Sequence, residues 1–346
     1  MSGECGPGED ILKTAILFVL MLLVLVIPHE WGHLIVAKLC GVKVNEFSVG
    51  MGPLLFKKQK GETQYSVRLL PLGGYCAMEG EEEASDNPRA YSNKSNLQKI
   101  AILLAGVTMN VIIAVLAVTI AYSISGVPST TLSDVTPGSP AAKAGIVAGD
   151  TIVEIDGIAA KSWSDVTNAV DEYHEGDKLE IVYKHKGEKK TAYVVPELDK
   201  QYDRYIIGIV AGSTRDPLAC LSSGAVATWE MNKMMIKAFQ SMFQRGISKD
   251  DVAGPVGLVR VVNQTSQYGI ESYLMLLALV SLNLALFNII PIPGLDGGKI
   301  FFILLKVISG GRINDEMEYK ATLVGMVLLL SLFVLVTVND VRNLLG

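Results

Sequence analysis

Histidine is scarce in this chain, with four among 346 residues. Cysteine is equally scarce, and Cys5, Cys40, Cys76 and Cys220 stand far apart with no C-x-x-C spacing. That scatter excludes a thiolate metal site and a disulfide framework. Charged residues make up only 19% of the chain, too few for an ordinary soluble protein. Nor is there a basic excess: the formal net charge is −5, so the electrostatic footprint of a nucleic-acid binder is missing. The opening MSGECGPGED is acidic and lacks the basic n-region and small-residue cleavage site of a removable signal peptide. The first apolar segment is therefore expected to stay as a membrane helix.

What the chain has in quantity is apolar length. Residues are 50% hydrophobic, mean hydropathy is positive, and a clearly polar middle interrupts the pattern. A helix needs about 20 apolar residues to cross a bilayer. Four segments qualify: roughly Thr14 to Leu39, Ile100 to Ile124, Tyr273 to Ile292 and Ala321 to Val338. The expected fold is a mainly α polytopic membrane protein with four transmembrane helices, cytoplasmic β-hairpins and an inserted extracytoplasmic α+β domain. Orientation follows from lysine and arginine. The loop from Gly41 to Lys99 carries Lys43, Lys57, Lys58, Lys60, Arg68, Arg89, Lys94 and Lys99, so it is placed in the cytoplasm with the short Gly310 to Lys320 loop. The acidic run Glu79 to Glu83 weighs little in that rule.

Two of the four histidines sit inside the first apolar segment. Thirteen uninterrupted apolar residues, Ala15 to Ile27, run into Pro28-His29-Glu30-Trp31-Gly32-His33 and return to Leu34-Ile35-Val36-Ala37. In a helix, residues four apart share a face, so His29 and His33 can reach one Zn²⁺ while Glu30 addresses a water beside it. From the histidine content, a chance His-Glu-x-x-His would arise about once in several hundred such chains. An ionisable side chain deep in a bilayer costs roughly 2.5 to 3.5 kcal/mol on insertion scales, so three within five residues need a metal or polar cavity to compensate. The bland alternative is a pair of hydrogen-bonded histidines at the membrane boundary.

A catalytic zinc keeps three protein ligands and one open position. The remaining histidines, His174 and His185, fall in the polar insert and read as solvated surface residues. The third span ends in LNLALFNIIPIPGLDGGKIFFILL, where two prolines and three glycines break the helix at membrane depth. Asp296 is the carboxylate inside that break, and it is the candidate third ligand. Its alternative role is to cap the helix that follows. Asn288 could donate to substrate backbone or a developing oxyanion, or equally pack as a bundle amide.

Between the first two spans, EFSVGMGPLLF and TQYSVRLLPLGGY alternate and are punctuated by glycine, which reads as short β-hairpins. An exposed strand there could pair with a substrate helix that must unwind to be cut, or the hairpins could simply be packed together. In the outer insert, residues 128 to 196 read as a compact α+β module with helices at Pro140 to Ala144 and Trp163 to Tyr173. Ala225 to Gln244 is too polar to span and fits an amphipathic helix, either at the membrane interface or packed on the outer domain.

These residues together resemble the site-2 proteases, intramembrane zinc metalloproteases, and in particular the bacterial regulator-of-sigma-E type that cleaves anti-sigma factors. The resemblance rests on HEWGH at His29 to His33, NIIPIPGLDGG from Asn288 to Gly298, FSVGMGP and PLGGY, AGVTMN at Ala105 to Asn110, and a PDZ-like stretch around GSPAAKAGIVAGDTIVEIDG. It implies one Zn²⁺ per chain held by His29, His33 and Asp296, with Glu30 as catalytic base and Asn288 as a substrate-binding residue. It also likens Ser48 to Leu55 to a membrane-re-entrant β-loop, which makes Ser48, Val49, Gly50, Met51 and Gly52 substrate-binding candidates. The PDZ-like domain would act as a size filter that admits membrane proteins already trimmed by another protease. Three features depart from the pattern: one PDZ-like domain where well-known members have two, Lys299 where some have histidine, and Thr108 where proline is common.

The implied division is 1–40, first span with the histidine motif; 41–99, cytoplasmic loop with membrane-associated hairpins; 100–126, second span; 127–198, PDZ-like domain; 199–271, extracytoplasmic linker with the amphipathic helix; 272–309, third span with the LDG motif; and 310–346, cytoplasmic loop and fourth span. The expected location is a bacterial inner or plasma membrane, with the active site toward the cytoplasm and the PDZ-like domain outside. Expected partners are the lipid bilayer and membrane-protein substrates, with no nucleic acid. The competing function is a non-proteolytic, metal-stabilised PDZ-type adaptor or chaperone. A metal transporter would need a polar path through several spans, which the second and fourth spans lack.

Overall fold

A computed structural model describes residues 7–81, 85–199, 204–246, 254–310 and 314–345. The tail with Glu4 and Cys5, Glu82 and Glu83 of the acidic run, and Arg312 of the short loop before the fourth span lie outside them. The chain forms two compact units, one from residues 1–118 and 227–346 and the other from 119–226.

The first unit begins with helix α1 (Pro7–Leu39), two long strands β1 (Val44–Lys60) and β2 (Thr63–Met78), and helix α2 (Asn96–Ser125), which continues into the second unit. The second unit holds β3 (Val127–Val135), α3 (Pro140–Lys143), β4 (Thr151–Ile155), β5 (Ile158–Ala159), α4 (Trp163–Asp171), β6 (Leu179–His185), β7 (Glu188–Val194), β8 (Glu197–Asp199), β9 (Arg204–Ile206) and β10 (Ile209–Thr214). Helix α5 (Pro217–Arg245) leads back to the first unit, which ends with α6 (Pro255–Ser266), α7 (Ile270–Ile289), α8 (Asp296–Ile308) and α9 (Asp315–Leu345).

Among the described residues, four helices are long and apolar enough to cross a membrane: Leu12–Leu39, Asn96–Ser125, Ile270–Ile289 and Glu316–Asp340. They fall on the four segments expected from hydropathy. Within the first unit, hydrogen bonds join these helices to one another and to α6. Tyr273 Oη donates to the Leu17 carbonyl at 2.8 Å, and Thr14 Oγ1 to Asn263 Oδ1 at 2.9 Å. Asp340 Oδ2 accepts the Gly257 amide at 2.8 Å, satisfying a free donor in the first turn of α6.

The expected short hairpins are in fact one long ribbon that bends back on itself. Val49 of β1 stands opposite both Gly74 and Val67 of β2, and Phe47 opposite both Cys76 and Tyr65. Gly50 and Gly52, with φ of 85° and 81°, supply the left-handed backbone that the bend demands. Beyond that bend, residues 51–60 are exposed along the whole strand.

The second unit is a sheet ordered β10-β3-β4-β6-β7, with β5 on β4. Its core is Leu132, Ile146, Ile152, Ile155, Val166, Leu179 and Ile181 with their neighbours. Ser139 caps α3 through the Ala142 amide, and Ser162 with Asp165 forms a capping box for α4. The sheet reaches past residue 198, because β10 pairs antiparallel with β3. His174 is exposed as expected, whereas His185 Nδ1 lies 2.7 Å from Oδ1 of buried Asp150. Helix α5 begins eight residues before the amphipathic stretch read from Ala225. In the first unit its Phe239 packs T-shaped on Phe287 of α7, while Trp229 and Met234 stay exposed.

Candidate metal centre

Helix α1 carries Pro28 inside it, and the next turn presents His29, Glu30 and His33. Both histidines are buried. The chain that follows α7 turns at Ile290 to Leu295, where Gly294 adopts a φ of 101°. A Cβ on Gly297 would run into the carbonyls of Ile289 and Ile290, and one on Gly298 into that of Ile292. Only glycine therefore lets α8 start this close beneath the end of α7, and that start aims Asp296 at α1.

Three atoms converge there. His29 Nε2 and His33 Nε2 are 3.2 Å apart, and Asp296 Oδ2 lies 3.3 Å from the first and 3.4 Å from the second. Tetrahedral zinc bonds of about 2.0 to 2.1 Å place neighbouring ligands about 3.3 to 3.4 Å apart, so this triangle has the edge length such an ion needs. Asp296 Oδ2 is buried and makes no hydrogen bond of proper geometry, as befits an oxygen facing a shared point and not a donor. The alternative of a capping aspartate does not hold: the residue before α8 is Leu295, and no side chain caps that helix.

The second ring nitrogens are also engaged. His33 Nδ1 is 2.8 Å from the Ile102 carbonyl, and His29 Nδ1 is 3.2 Å from Asn110 Nδ2, both partners coming from α2. Two glycines let α2 approach this closely. A Cβ on Gly32 would meet the Ala105 carbonyl at 2.5 Å, and one on Gly106 would sit 2.5 Å from His33 Nε2 and 2.7 Å from His29 Cε1. Alanine for glycine normally stabilises a helix interior. Gly106→Ala is nevertheless expected to weaken metal binding by at least about tenfold, because the imidazoles must move off the shared point. Metal titration beside a helicity measurement checks this: unchanged affinity with intact helicity would refute it.

The three atoms open onto a cavity of about 910 Å³ lined by His29, Glu30, His33, Asp296, Lys299, the end of β2 from Tyr75 to Met78, and the turn through Glu81. Gly74 lets β2 reach this wall, since a Cβ there would stand 3.3 Å from Glu30 Cγ. Lys299 Nζ, one turn into α8, pairs with Glu81 Oε1 at 2.6 Å, and Lys43 Nζ with Glu79 Oε2 at 3.1 Å. Cys76 lines the same wall, but burial, and after it the Glu30 carboxylate, push its thiol up, so it stays an uncharged group.

The expected substrate-binding residues fall elsewhere. Ser48 and Val49 have strand partners on both sides, Gly50 is buried, and Met51 and Gly52 point out beyond the bend; none of the five lines the cavity. The physical reason is the doubled ribbon: the first half of β1, up to Val49, lies between two stretches of β2, and the end of β2 forms the cavity wall. Among the described pairings, Tyr75 to Ala77 have strand partners on one side only. Asn288 is half-buried in the last turn of α7 and also off the cavity wall.

A family model described as peptidase family M50 matches residues 17–332. The chain belongs to peptidase family M50. A Clostridium acetobutylicum protein that carries a zinc metalloprotease name is 36% identical over 320 residues, 92% of this peptidase and 94% of that protein. The Bacillus subtilis protein named regulator of sigma-W protease RasP is 28% identical, across 96% of this peptidase and 99% of its own length. Among solved structures, the PDZ domain of an SdrC-like protein from Listeria innocua matches at 30% identity with a TM-score of 0.23, over 25% of this chain and 96% of that domain.

Proposed function

We propose that this M50 peptidase hydrolyses peptide bonds in or near the transmembrane segments of single-pass membrane proteins, anti-sigma factors among them. It is a zinc metalloprotease and a membrane protein. His29, His33 and Asp296 hold one Zn²⁺ per chain, and Glu30 is the catalytic base. The observation that carries this reading is the triangle of His29 Nε2, His33 Nε2 and Asp296 Oδ2, with edges of 3.2 to 3.4 Å.

Bound zinc would polarise the scissile carbonyl and make a water acidic enough to attack near neutral pH. Glu30 takes the proton from that water and returns it to the leaving amine. Tyr75 to Ala77 present the free strand edge beside Glu30, so an unwound substrate segment adds there as a strand, in place of the Ser48 to Gly52 stretch. Asn288 contributes to substrate binding only after moving toward the cavity. The cavity side faces the cytoplasm of a bacterial plasma membrane, following the lysine-rich 41–99 loop. The 127–198 unit, extended by β10, lies outside as a PDZ-like filter for substrates trimmed beforehand.

The test uses the full chain reconstituted in liposomes with a single-pass substrate, one form carrying its outer domain and one trimmed. A strong zinc chelator is expected to abolish cleavage, and added Zn²⁺ to restore it. Mass spectrometry should place the cut within the apolar segment or a few residues from it, with the trimmed form cleaved faster. Undiminished cleavage in the metal-free protein, or cuts confined to soluble loops, would overturn the proposal. The adaptor alternative predicts no cut at all.

A further inference from the structure

The two imidazoles differ in what stands behind them. An imidazole that offers its Nε2 lone pair to an ion carries its proton on Nδ1, and that proton needs an acceptor when buried. His33 has one, the Ile102 carbonyl at 2.8 Å. Behind His29 stands the Asn110 side chain, with Nδ2 at 3.2 Å from Nδ1. An amide nitrogen donates, so in this orientation it cannot receive the Nδ1 proton. The Asn110 amide oxygen, meanwhile, is buried without a partner, and the residue has no solvent exposure. A half-turn of the amide exchanges its oxygen and nitrogen at constant volume. The Asn110 backbone is itself fixed: its carbonyl accepts from Ser281 Oγ of α7 at 2.7 Å.

We infer that Asn110 is a positioning residue: its Oδ1 accepts the Nδ1 proton of His29 and holds that ring in the tautomer and orientation that direct Nε2 toward His33 and Asp296. This rests on reading His29 as a metal ligand. Asn110 touches neither substrate nor ion, and acts only through the ring it orients. One turn earlier, Gly106 leaves the space the two rings occupy, so the α2 stretch from Ile102 to Asn110 supplies both acceptors and the clearance between them.

The experiment measures zinc affinity of the full chain in lipid nanodiscs by competition with a chromophoric chelator, in a Glu30→Gln background so that no proteolysis intervenes. Asn110→Leu keeps the volume and removes the acceptor, and is expected to weaken zinc by about 10 to 100-fold. Asn110→Asp keeps the shape and an acceptor oxygen, and is expected to bind as tightly as the unsubstituted chain or tighter. Ser281→Ala removes the adjacent buried hydrogen bond without touching His29, and should change affinity less than about threefold. Asn110→Ala replaces the leucine variant if the latter does not fold. Affinity within threefold for the variants lacking an acceptor would overturn the inference, as would an aspartate variant as weak as the leucine one. His29→Ala separates the two levels: if it retains zinc, the ligand reading itself has failed, whereas zinc loss there with an indifferent Asn110 defeats the positioning role alone.

Discussion

Glu30→Gln is expected to yield a protein that still binds one zinc per chain and has lost cleavage by about 10² to 10⁴-fold, the range a positioned general base contributes. Glutamine matches glutamate in shape, so α1 keeps its contact with β2 at Gly74, where a side chain would already crowd Glu30 Cγ. The three converging atoms belong to other residues and are untouched. What disappears is the group on that turn that can accept a proton without leaving the metal, since an amide oxygen is far too weakly basic. Zinc content by mass spectrometry and cleavage rate in liposomes read the two effects separately. More than about a tenth of the activity retained would show that the proton goes elsewhere and remove Glu30 from the mechanism.

Asp296→Ala is expected to lose both zinc and activity. Two imidazoles on one helix turn remain, and a catalytic zinc site needs three protein ligands. Asp296 is also the carboxylate that closes the triangle from a second element, so its removal leaves nothing to tie α8 to α1 through the ion. Its place in the first turn of α8 adds a helix-dipole contribution of about 0.3 to 1 kcal/mol, too little to explain a failure to fold. Asp296→Asn provides the control: it keeps the size and a neutral oxygen but not the charge, and should hold zinc far more weakly while α8 stays helical. Zinc copurifying with the alanine variant at the unsubstituted ratio would refute the ligand assignment.

Much of this was legible in the chain because it depends on local periodicity. Spans follow from runs of apolar residues, the His29 and His33 pair from four-residue spacing, and the two short helices read in the insert lie close to α3 and α4. Asp296 stood out because a carboxylate among prolines and glycines in an apolar run needs a reason. The cavity wall was not legible. Tyr75 to Ala77 reach it because β1 and β2 pair twice over, and register across a bent ribbon leaves no trace in the local pattern. Asn110 looked like one of several polar residues in the second span, and only the crossing of α1 and α2 at Gly32 and Gly106 sets it behind His29. Strand β10 was absorbed into a linker for a similar reason: its partner β3 lies at the other end of the insert.

The cavity wall has one more implication. The acids at its rim, Glu79 and Glu81, are already neutralised by Lys43 and Lys299. A polypeptide laid against Tyr75 to Ala77, as proposed, would meet these two ion pairs and not two free carboxylates. Under that proposal the wall would select chiefly by the guest's willingness to give up its helix and lie flat, which favours sequences rich in glycine or β-branched residues.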